Sequence, residues 1–363
     1  MWNATWYRVA SPQYRKAQGG SQKDAMRPKI AIPYVDNRGG TPPDLLRGYI
    51  AGMKALVLSA TNTYGPLGRA ASVAALPLGD RASKAWLDRT RNPYRGEIGK
   101  IAEAVGLSGV YLLNVCFEWG CTSGVWAGTE GALMRRVLDW PFPELGEHIV
   151  VVHQSGEAGD FLNVTWPGVT GVYHASAPGR FAAAINQAPM REFGSGFVGD
   201  WFRSRLAVGL GDGLPPAHLL RQVFEIAPDY ASAQLLLCRT RLAVPAIFIL
   251  AGLSPEEGCV IERTEDQFAL RLMSRGRVCA TNHFEGKLDD HGKGWRARPI
   301  DSEGRLACAN ALDAETDDFS WFATPIANPN SRLAMTACPT TGALSLIGTA
   351  GESPVTEIFR WAA

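Results

Sequence analysis

Two hydrophobic patterns divide the chain after its first third. Apolar residues recur at helical spacing in PDLLRGYIAGMKALVLSA, and a second helix-like segment, NPYRGEIGKIAEAVGL, has a proline near its start and a glycine at its end. Short runs that read as strands follow, each bounded by Gly, Pro or Asp: CTSGVWAG, GALMRRVLDW, HIVVVHQSG, FLNVTWPG, GVYHASA and RFAAAIN. The pattern therefore predicts a helical N-terminal segment followed by a sheet.

Helical spacing returns once, between two groups of strand-like runs. LPPAHLLRQVFEIA and DYASAQLLLCRTRL read as helices, and strands resume in GCVIERTEDQFALRLM, RVCATNH, LAMTACP and ALSLIGT. No internal repeat or Ser/Gly-rich linker divides the chain, so we expect a single domain. Helices between two groups of strands favour stacked layers, in which sheets lie in the middle and helices cover them.

Composition narrows the class of protein. The 363 residues are 46% hydrophobic and 20% charged, which is typical of a globular protein with a large core. The formal net charge of +1, with charges spread along the chain, argues against a nucleic-acid-binding protein. Seven cysteines without a CxxC pair argue against a disulfide framework and against a zinc ribbon.

Two stretches bear on the location of the protein. The N-terminal stretch MWNATWYRVASPQYRK contains no apolar run of signal-peptide length. The most apolar stretch elsewhere, AVPAIFILAG, is too short to cross a bilayer. We therefore expect a cytoplasmic protein without a transmembrane segment.

A β-hairpin is predicted around Cys121. The run TEG separates CTSGVWAG from GALMRRVLDW, and Gly131 is available for the positive φ angle of a tight turn. Pairing the two strands about this turn places Cys121 opposite the segment that contains Arg136 and Asp139. Because side chains alternate along a strand, these two residues lie on opposite faces unless the strand bends, and Pro141 indicates that the strand ends just after them.

A cysteine beside a cation and a carboxylate has the chemistry of an amide hydrolase. The thiolate is the nucleophile, and a positive neighbour lowers the pKa of the thiol. None of the six histidines stands in a pattern typical of a cysteine-protease partner. Gly120 indicates another base: if the peptide bond before Cys121 is cut, the freed α-amine has a pKa of about 7.7–8.0 and can accept the thiol proton.

The segment GSGFVGD, residues 194–200, matches the pattern of a dinucleotide-binding loop. That motif requires a strand before it and a helix after it, with an acidic residue further on. Pro189 interrupts the preceding segment, so we predict a flexible loop without a nucleotide.

Together, the motifs resemble those of the N-terminal-nucleophile amidases of the choloylglycine hydrolase superfamily, in particular the acid ceramidase and N-acylethanolamine acid amidase branch. The matching segments are CTS at 121–123, RVLDW at 136–140, GVYLLNVCFEWGCTS, PGVTGVYHASAPGRFAAAIN, LLCRTRLAVPAIFILAGLSPEEGCVIER and ATNH. The resemblance runs from about residue 41 to about residue 310. It implies an α+β fold, the four-layer αββα sandwich of these hydrolases.

The resemblance also implies self-cleavage between Gly120 and Cys121. Residues 1–120 would form a helical α-chain or propeptide segment, residues 121–363 would form the catalytic β-chain, and the two fragments would remain associated. Cys121 would serve as nucleophile through its sulfur and as base through its new amine. No metal and no organic cofactor is implied.

Four further site residues follow from the resemblance. Arg136 and Asp139 would orient the cysteine, and Asp139 would hold the α-amine. Asn282 in ATNH matches the asparagine whose side-chain amide helps to form the oxyanion hole. Arg305 in DSEGR matches a late active-site arginine. Because preorganised donors aimed at a developing oxyanion contribute about 10²–10³-fold in rate, Asn282 should matter nearly as much as the cysteine.

Two positions depart from the family pattern, and two others are candidates for substrate binding. Val137 stands where the family usually has an asparagine, and Gln187 stands where the ceramidase branch often has an acid. Trp140 and Phe142 follow the proposed site in the sequence and are candidates to line an acyl pocket. Burial of an acyl chain there would contribute about 0.8 kcal/mol per CH₂ group.

The resemblance implies hydrolysis of a linear amide with an apolar acyl group through a thioester. Candidate substrates are fatty-acid amides, N-acylethanolamines and ceramide-like lipids, since the fold alone does not fix the substrate. Two alternatives stay open. One is an acyltransferase of the penicillin-forming type, which passes the acyl group to an amine, and the other is a non-catalytic scaffold that keeps the fold. The oligomeric state is not predicted.

Overall fold

Two β-sheets form the middle of the molecule, and the larger one has eight strands. The computed structural model describes residues 28–46, 48–63, 69–115, 119–288, 294–296, 300–314 and 318–362. In spatial order, the strands of the larger sheet are β1 (Tyr34–Asp36), β4 (Val150–Gly156), β5 (Gly159–Thr165), β6 (His174–Ala177), β7 (Phe181–Gln187), β9 (Ala246–Ala251), β10 (Gly258–Arg263) and β11 (Phe268–Leu272). Strand β1 is parallel to β4, and the other neighbours are antiparallel.

The smaller sheet carries the predicted hairpin at its centre. Its strands, in spatial order, are β12 (Arg277–Ala280), β2 (Gly120–Ala127), β3 (Ala132–Asp139), β14 (Ser331–Cys338), β15 (Ala343–Ala350) and β16 (Ser353–Pro354). A further strand, β17 (Phe359–Trp361), pairs with β15. A separate two-stranded ribbon joins β8 (Met190–Arg191) to β13 (Trp295–Arg296). Gly131 lies in the β2–β3 turn with a φ of +150°, as predicted.

Helices cover the outer faces of both sheets. Their bounds are α1 Pro42–Leu46, α2 Ile50–Thr63, α3 Arg69–Arg89, α4 Arg95–Val105, α5 Val110–Asn114, α6 Gly196–Leu210, α7 Pro216–Ile226, α8 Tyr230–Arg239 and α9 Ser302–Ala311, with a 3₁₀ turn at Pro143–His148. Helices α7 and α8 pack on β7 and β9 of the larger sheet, and α9 packs on β2 and β12 of the smaller one. The predicted four-layer αββα sandwich is therefore confirmed.

The N-terminal helices join the layer that covers the larger sheet. Helix α4 contacts α1, α2 and α5. Arg221 of α7 forms a bidentate ion pair with Glu97 of α4, with nitrogen–oxygen distances of 2.6 and 3.1 Å. Arg221 also bonds Glu225 on its own helix, at 2.8 Å. In the described ranges, none of the helices has the combination of length and apolar character that a membrane-spanning segment needs.

The burial of the strands explains why some of them were predicted from the sequence and one was not. Strands β7 and β9 are buried at every position because they are covered on both faces, so they read as continuous apolar runs rather than as alternating ones. For this reason AIFILA, now β9, was not predicted as a strand. Strand β11, at the edge, alternates between exposed and half-buried residues, and it was predicted.

One local prediction was wrong. Residues 194–200 are not a loop throughout, since α6 begins at Gly196. Gly194 and Gly196 adopt positive φ angles of +77° and +73°, which lets the chain turn directly from β8 into the helix. The carboxylate of Asp200 accepts hydrogen bonds from the main-chain nitrogens of Phe193 and Ser195, at 3.1 and 3.0 Å, and so fixes this entry. The preceding strand has only two residues and belongs to the small ribbon.

Candidate active site

Cys121 is the second residue of β2 and is fully buried. The chain is continuous here, so the Cys121 nitrogen is a peptide N–H, and it donates a hydrogen bond to Oδ1 of Asn282 at 2.8 Å. The thiol donates to the main-chain oxygen of Ile185 on β7, at 3.6 Å. The two atoms required by the predicted chemistry, the nitrogen and the sulfur, therefore have separate partners on different elements.

The register of the β2–β3 hairpin decides which residues share a face with Cys121. Cys121 pairs with Leu138, and Gly120 pairs with Asp139. Paired residues in antiparallel strands project to the same side of the sheet. Arg136 therefore shares the face of Cys121, between the two sheets, whereas Asp139 projects toward α9. The predicted separation of the arginine and the aspartate on opposite faces is confirmed.

Arg136 is a buried cation between the sheets. Its Nη1 donates to Oδ1 of Asn186 on β7 at 2.7 Å and to Oγ of Ser123 at 3.2 Å. Its Nε and Nη2 have no hydrogen-bond partner among the residues that the structure describes. Burial raises the pKa of the Cys121 thiol, and the charge of Arg136 acts in the opposite direction. Arg136 is thus placed to favour the thiolate.

Asp139 lies on the other face, directly behind Gly120. Its Oδ1 accepts a hydrogen bond from Oγ of Ser331 at 2.7 Å, and its Oδ2 lies 3.5 Å from Nη1 of Arg305. Burial raises the pKa of the Asp139 carboxyl, while Arg305 and Ser331 counteract this effect. A Cβ added to Gly120 would lie 3.2 Å from Cβ and 3.4 Å from Oδ2 of Asp139. The glycine therefore allows the carboxyl group to approach the Gly120–Cys121 peptide.

Asn282 follows β12 and connects three elements through its side chain. Its Oδ1 accepts from the Cys121 nitrogen and also from Nη2 of Arg305, at 2.9 Å. Its Nδ2 donates to the main-chain oxygen of Gln187 at 2.8 Å. Since two donors converge on one atom of the amide, that atom must be the oxygen. In the intact chain, the amide N–H₂ predicted to serve the oxyanion is therefore bonded to Gln187.

Arg305 reaches the site from α9, whose first turn is capped by Asp301. Its Nη1 donates to Oγ1 of Thr122 at 2.9 Å and to the main-chain oxygen of Cys121. Its Nε donates to the main-chain oxygen of Ile300 at 2.7 Å. The structure thus brings together all five residues predicted to be catalytic: Cys121, Arg136, Asp139, Asn282 and Arg305.

The two departures from the family pattern have different surroundings. Val137 projects away from Cys121 and belongs to an apolar cluster with Leu306 and Ala309 of α9. Gln187 lies at the site, where its Oε1 accepts a hydrogen bond from the main-chain nitrogen of Trp119, at 3.0 Å. Val137 therefore leaves the face of Cys121 unchanged, whereas Gln187 contacts Trp119, the residue just before Gly120.

Three polar residues of the site were missed in the sequence: Asn186, Ser331 and Ser302. Asn186 stands in the fully buried strand FAAAINQ, and a buried amide in an apolar strand was an available signal. Ser331 and Ser302 begin β14 and α9, and nothing in their local sequence distinguishes them from ordinary terminal serines.

Aromatic side chains surround the start of the hairpin. Trp140 stacks on Phe142, with ring centroids 5.2 Å apart, and lies 5.6 Å from Trp119 and 6.3 Å from Trp166. Tyr173 meets Trp119 edge to face at 5.0 Å. All five rings are at most 5% exposed and belong to the same apolar core as Cys121. We call these five residues the aromatic cluster.

Open clefts occur elsewhere on the molecule. One, of about 310 Å³, is lined by residues that include Arg191, Arg241 and Glu265, and another, of about 380 Å³, is lined by residues that include His153 and Trp361. Neither is lined by a predicted site residue, and Cys121 is closed off from solvent in the intact chain. The convergence of polar groups on one cysteine, rather than cleft size, therefore locates the candidate site.

Comparisons with known proteins concern the class to which the chain is similar. No family model matches the chain. The chain is 25% identical over 233 residues to the N-acylethanolamine-hydrolyzing acid amidase of Cavia porcellus, a match that covers 61% of each protein. It is 26% identical over 226 residues to the acid ceramidase of Bos taurus, covering 57% of this chain and 55% of the relative. The chain thus spans less than two thirds of the length of these curated relatives.

Among solved structures, the N-acylethanolamine-hydrolyzing acid amidase ortholog of Caenorhabditis elegans matches 60% of this chain and 93% of its own, with 18% identity and a TM-score of 0.48. The layered fold, with two central sheets covered by helices, is the αββα sandwich expected for an N-terminal-nucleophile hydrolase. In sequence, the chain is similar to acid ceramidases and N-acylethanolamine-hydrolyzing acid amidases.

Proposed function

We propose that the protein is a self-processing cysteine amidase that cleaves the linear amide bond of an N-acyl substrate through a thioester. The main support is that both reactive atoms of Cys121 have suitable partners. Its nitrogen is bonded to Asn282, and its sulfur shares a buried layer with the Arg136 cation. A single residue can then supply the nucleophile through sulfur and, after cleavage, the base through nitrogen.

Self-cleavage would begin with attack of the Cys121 sulfur on the carbonyl carbon of Gly120. A C–S bond forms, the C–N bond between the two residues breaks, the thiol gives up its proton, and the departing nitrogen takes one up, so that no proton is gained or lost overall. Asp139 lies against Gly120, and burial raises the pKa of its carboxyl group, which supports it as a group that passes a proton to this nitrogen. Water then hydrolyses the thioester. The products are a Gly120 carboxylate and a Cys121 residue with a free thiol and a free α-amine.

Turnover of an external amide would repeat this chemistry. The α-amine, with a pKa of about 7.7–8.0, accepts the thiol proton, and the thiolate attacks the substrate carbonyl. The amine then protonates the leaving group, and water releases the acid from the thioester. Nδ2 of Asn282 carries two protons and uses one of them on the main-chain oxygen of Gln187, so the second would be donated to the tetrahedral oxyanion.

The two fragments would remain associated after cleavage. Strand β1, which belongs to the N-terminal fragment, pairs with β4, where Tyr34 meets Val151. Ile30 forms a bridge to Thr356 near the C-terminus. The partly buried ion pair of Arg221 with Glu97 also crosses the boundary between the predicted fragments. These contacts support retention of the N-terminal fragment without a covalent link.

The aromatic cluster supports an apolar acyl group on the substrate. It belongs to the same apolar core as Cys121, its member Trp119 stands two residues before Cys121, and it contains both predicted pocket residues, Trp140 and Phe142. The curated relatives carry the names of acid ceramidase and N-acylethanolamine-hydrolyzing acid amidase, so lipid amides are the substrates to examine first. The scaffold alternative loses support because Val137, one of the two departures from the family pattern, faces away from Cys121.

Denaturing mass spectrometry of the purified full-length chain tests the proposal. We expect two fragments that meet at Gly120 and Cys121 in the wild type, one intact mass for Cys121→Ala, and normal cleavage for Cys338→Ala, which alters a buried cysteine elsewhere. Cleaved protein should release fatty acid from an N-acylethanolamine or a ceramide. Transfer of the acyl group to an added amine would identify the acyltransferase, and an uncleaved, inactive wild type would leave only the scaffold.

A further inference from the structure

The loop that carries Asn282 is hydrogen-bonded to the first turn of α9 through the hydroxyl group of Ser302. Oγ of Ser302 accepts a hydrogen bond from the main-chain nitrogen of Asn282 at 2.9 Å. The same oxygen lies 2.9 Å from Oγ1 of Thr281 and 2.8 Å from Nδ1 of His283. Thr281 in turn donates to the main-chain oxygen of Ser302 at 2.8 Å. Three successive loop residues thus share a single serine, which is 4% exposed.

The protons of this group can be counted. Thr281 uses its hydroxyl proton on the Ser302 carbonyl, and Asn282 uses its N–H on the Ser302 oxygen. When Nδ1 of His283 is an acceptor, the Ser302 proton goes to it, and when Nδ1 carries a proton, the Ser302 proton turns to Thr281. In both arrangements the bond from the Asn282 nitrogen is kept. His283 therefore orients the Ser302 hydroxyl without competing for the acceptor that Asn282 needs.

Helix α9 holds Asn282 at two points. Ser302 and Arg305 are three residues apart, so they lie on the same face of the helix. Ser302 holds the main-chain nitrogen of Asn282, and Nη2 of Arg305 holds its Oδ1. The backbone and the side chain of Asn282 are thereby fixed by one rigid element, while its Oδ1 contacts the Cys121 nitrogen. Loss of either point would let the amide drift relative to the reacting cysteine.

We propose that Ser302, oriented by His283, is a positioning residue that holds Asn282 in register with Cys121. The inference rests on the proposed function, since it concerns the same reaction. Displacement of a catalytic group by about 1 Å can cost about 100-fold in rate. Because the main-chain bond to Asn282 is removed while Arg305 remains, Ser302→Ala should cost less than that, about tenfold in the rate of self-cleavage and in kcat, with KM within about twofold.

The test compares Ser302→Ala with three other variants of the full-length chain. Ser302→Thr keeps a hydroxyl and should restore most of the activity. Ser176→Ala removes another buried serine hydroxyl, one with no partner in the part of the chain that the structure describes, and should keep wild-type kinetics. Glu303→Ala changes the exposed neighbour of Ser302 on α9 and should do the same. Thermal unfolding of each variant measures the purely structural effect.

A second pair of variants examines His283. His283→Asn keeps a polar atom near the position of Nδ1, and His283→Phe removes it while keeping the ring. We expect the phenylalanine variant to lose severalfold in kcat and the asparagine variant to retain most of it. The readouts are kcat, KM and the time course of self-cleavage by mass spectrometry, each compared with the thermal midpoint.

The outcomes separate this inference from the proposed function. If the wild type neither cleaves itself nor turns over amides, both fail. If the wild type is active and Ser302→Ala matches Ser176→Ala in kcat and self-cleavage rate, the positioning role alone is overturned. A lower thermal midpoint without a change in kcat would likewise assign Ser302 to stability and not to the reaction.

Discussion

The reactivity proposed for Cys121 depends on two opposing effects on its thiol. Burial raises the pKa of the thiol because a thiolate is poorly solvated between the sheets, and the positive charge of Arg136 lowers it. The interaction is strong because the medium is poorly polarisable. Arg136 is held by Asn186 and Ser123 through one nitrogen, which leaves its Nε and Nη2 free of partners in the described residues.

Replacement of Arg136 should therefore move the pH dependence of the reaction. Arg136→Met keeps the length of the side chain and removes the charge, so the pKa of the Cys121 thiol rises and the thiolate fraction at neutral pH falls. We expect kcat/KM at pH 7 to fall at least about tenfold, the equivalent of one pKa unit, and the rising limb of the pH–rate profile to move to higher pH.

The matched control for this charge is the neighbouring Arg135. It projects to the opposite face of β3, where its guanidinium donates to the main-chain oxygens of Asp313 and Ala314 at 2.7 and 2.8 Å. Arg135→Met should leave the position of the profile unchanged. A reduced but unshifted profile for Arg136→Met would contradict the electrostatic role and leave only a structural one. If that variant matures too slowly for turnover to be measured, the pH dependence of its self-cleavage rate is compared with that of the wild type instead.

Single residues of the site were predictable only where a motif marked them. Cys121, Arg136 and Asp139 lie on one hairpin, so their proximity followed from strand pairing alone. Asn282 and Arg305 were matched by resemblance, since the contacts that join them to the cysteine span more than 160 residues. Their supporting residues, such as Ser302, have no motif of their own, because their role exists only after the sheets and α9 have packed.

Among the elements, the hairpin could be predicted from the sequence, whereas α9 could not. The hairpin has alternation, a turn glycine and a terminating proline, and each signal agrees with the fold. Helix α9 is short and rich in small residues, so its period is weak, and it was not predicted. The one available signal was Asp301, an acid at the position of a helix N-cap.

The cap of α9 should matter to the site as well as to stability. Asp301 adopts a left-handed φ of +41°, and its carboxylate accepts from the main-chain nitrogen of Gly304 at 3.1 Å. Asp301→Ala removes this acceptor and places alanine in a left-handed conformation. We expect a loss of about 1–2 kcal/mol in the free energy of unfolding. Self-cleavage should also slow severalfold, because Arg305 lies one turn further along the helix.

Asp301→Asn separates the cap from the charge. Asparagine retains a side-chain oxygen and tolerates the left-handed region, so its free energy of unfolding should stay within about 0.5 kcal/mol of the wild type. Urea unfolding and a time course of cleavage measure both quantities. Equal behaviour of the alanine and asparagine variants would show that the cap does not support α9.

For the whole molecule, the layered arrangement was predictable, and the pairing of the N-terminal segment with distant strands was not. Alternating and apolar runs give two groups of strands with helices between them, and this pattern favours stacked layers. It does not indicate that β1 lies parallel to β4 at the edge of the larger sheet, or that Ile30 meets Thr356. Both pairings join residues far apart in sequence, and their register is set by packing rather than by a local signal.

Two buried histidines make the stability of the molecule sensitive to acid. Burial lowers the pKa of His174 well below its usual range, with a further contribution from the charge of Arg136. Burial and the charge of Arg221 lower the pKa of His218 to about 3. Both histidines are neutral in the folded state, and in the unfolded chain they take up a proton near pH 6.5. Their contribution to stability is therefore present above pH 6.5 and is lost as the pH falls toward the folded pKa.

His174→Leu isolates one of these groups, because neither ring nitrogen of His174 has a hydrogen-bond partner within the described ranges. The variant should gain stability relative to the wild type by about 1.4 kcal/mol per pH unit below pH 6.5. Urea unfolding at pH 8, 7, 6 and 5 measures this difference. The raised pKa of Asp139 acts in the opposite direction and is common to both proteins, so it cancels in the comparison. A constant difference between the two proteins at all four pH values would mean that His174 is protonated equally in both states.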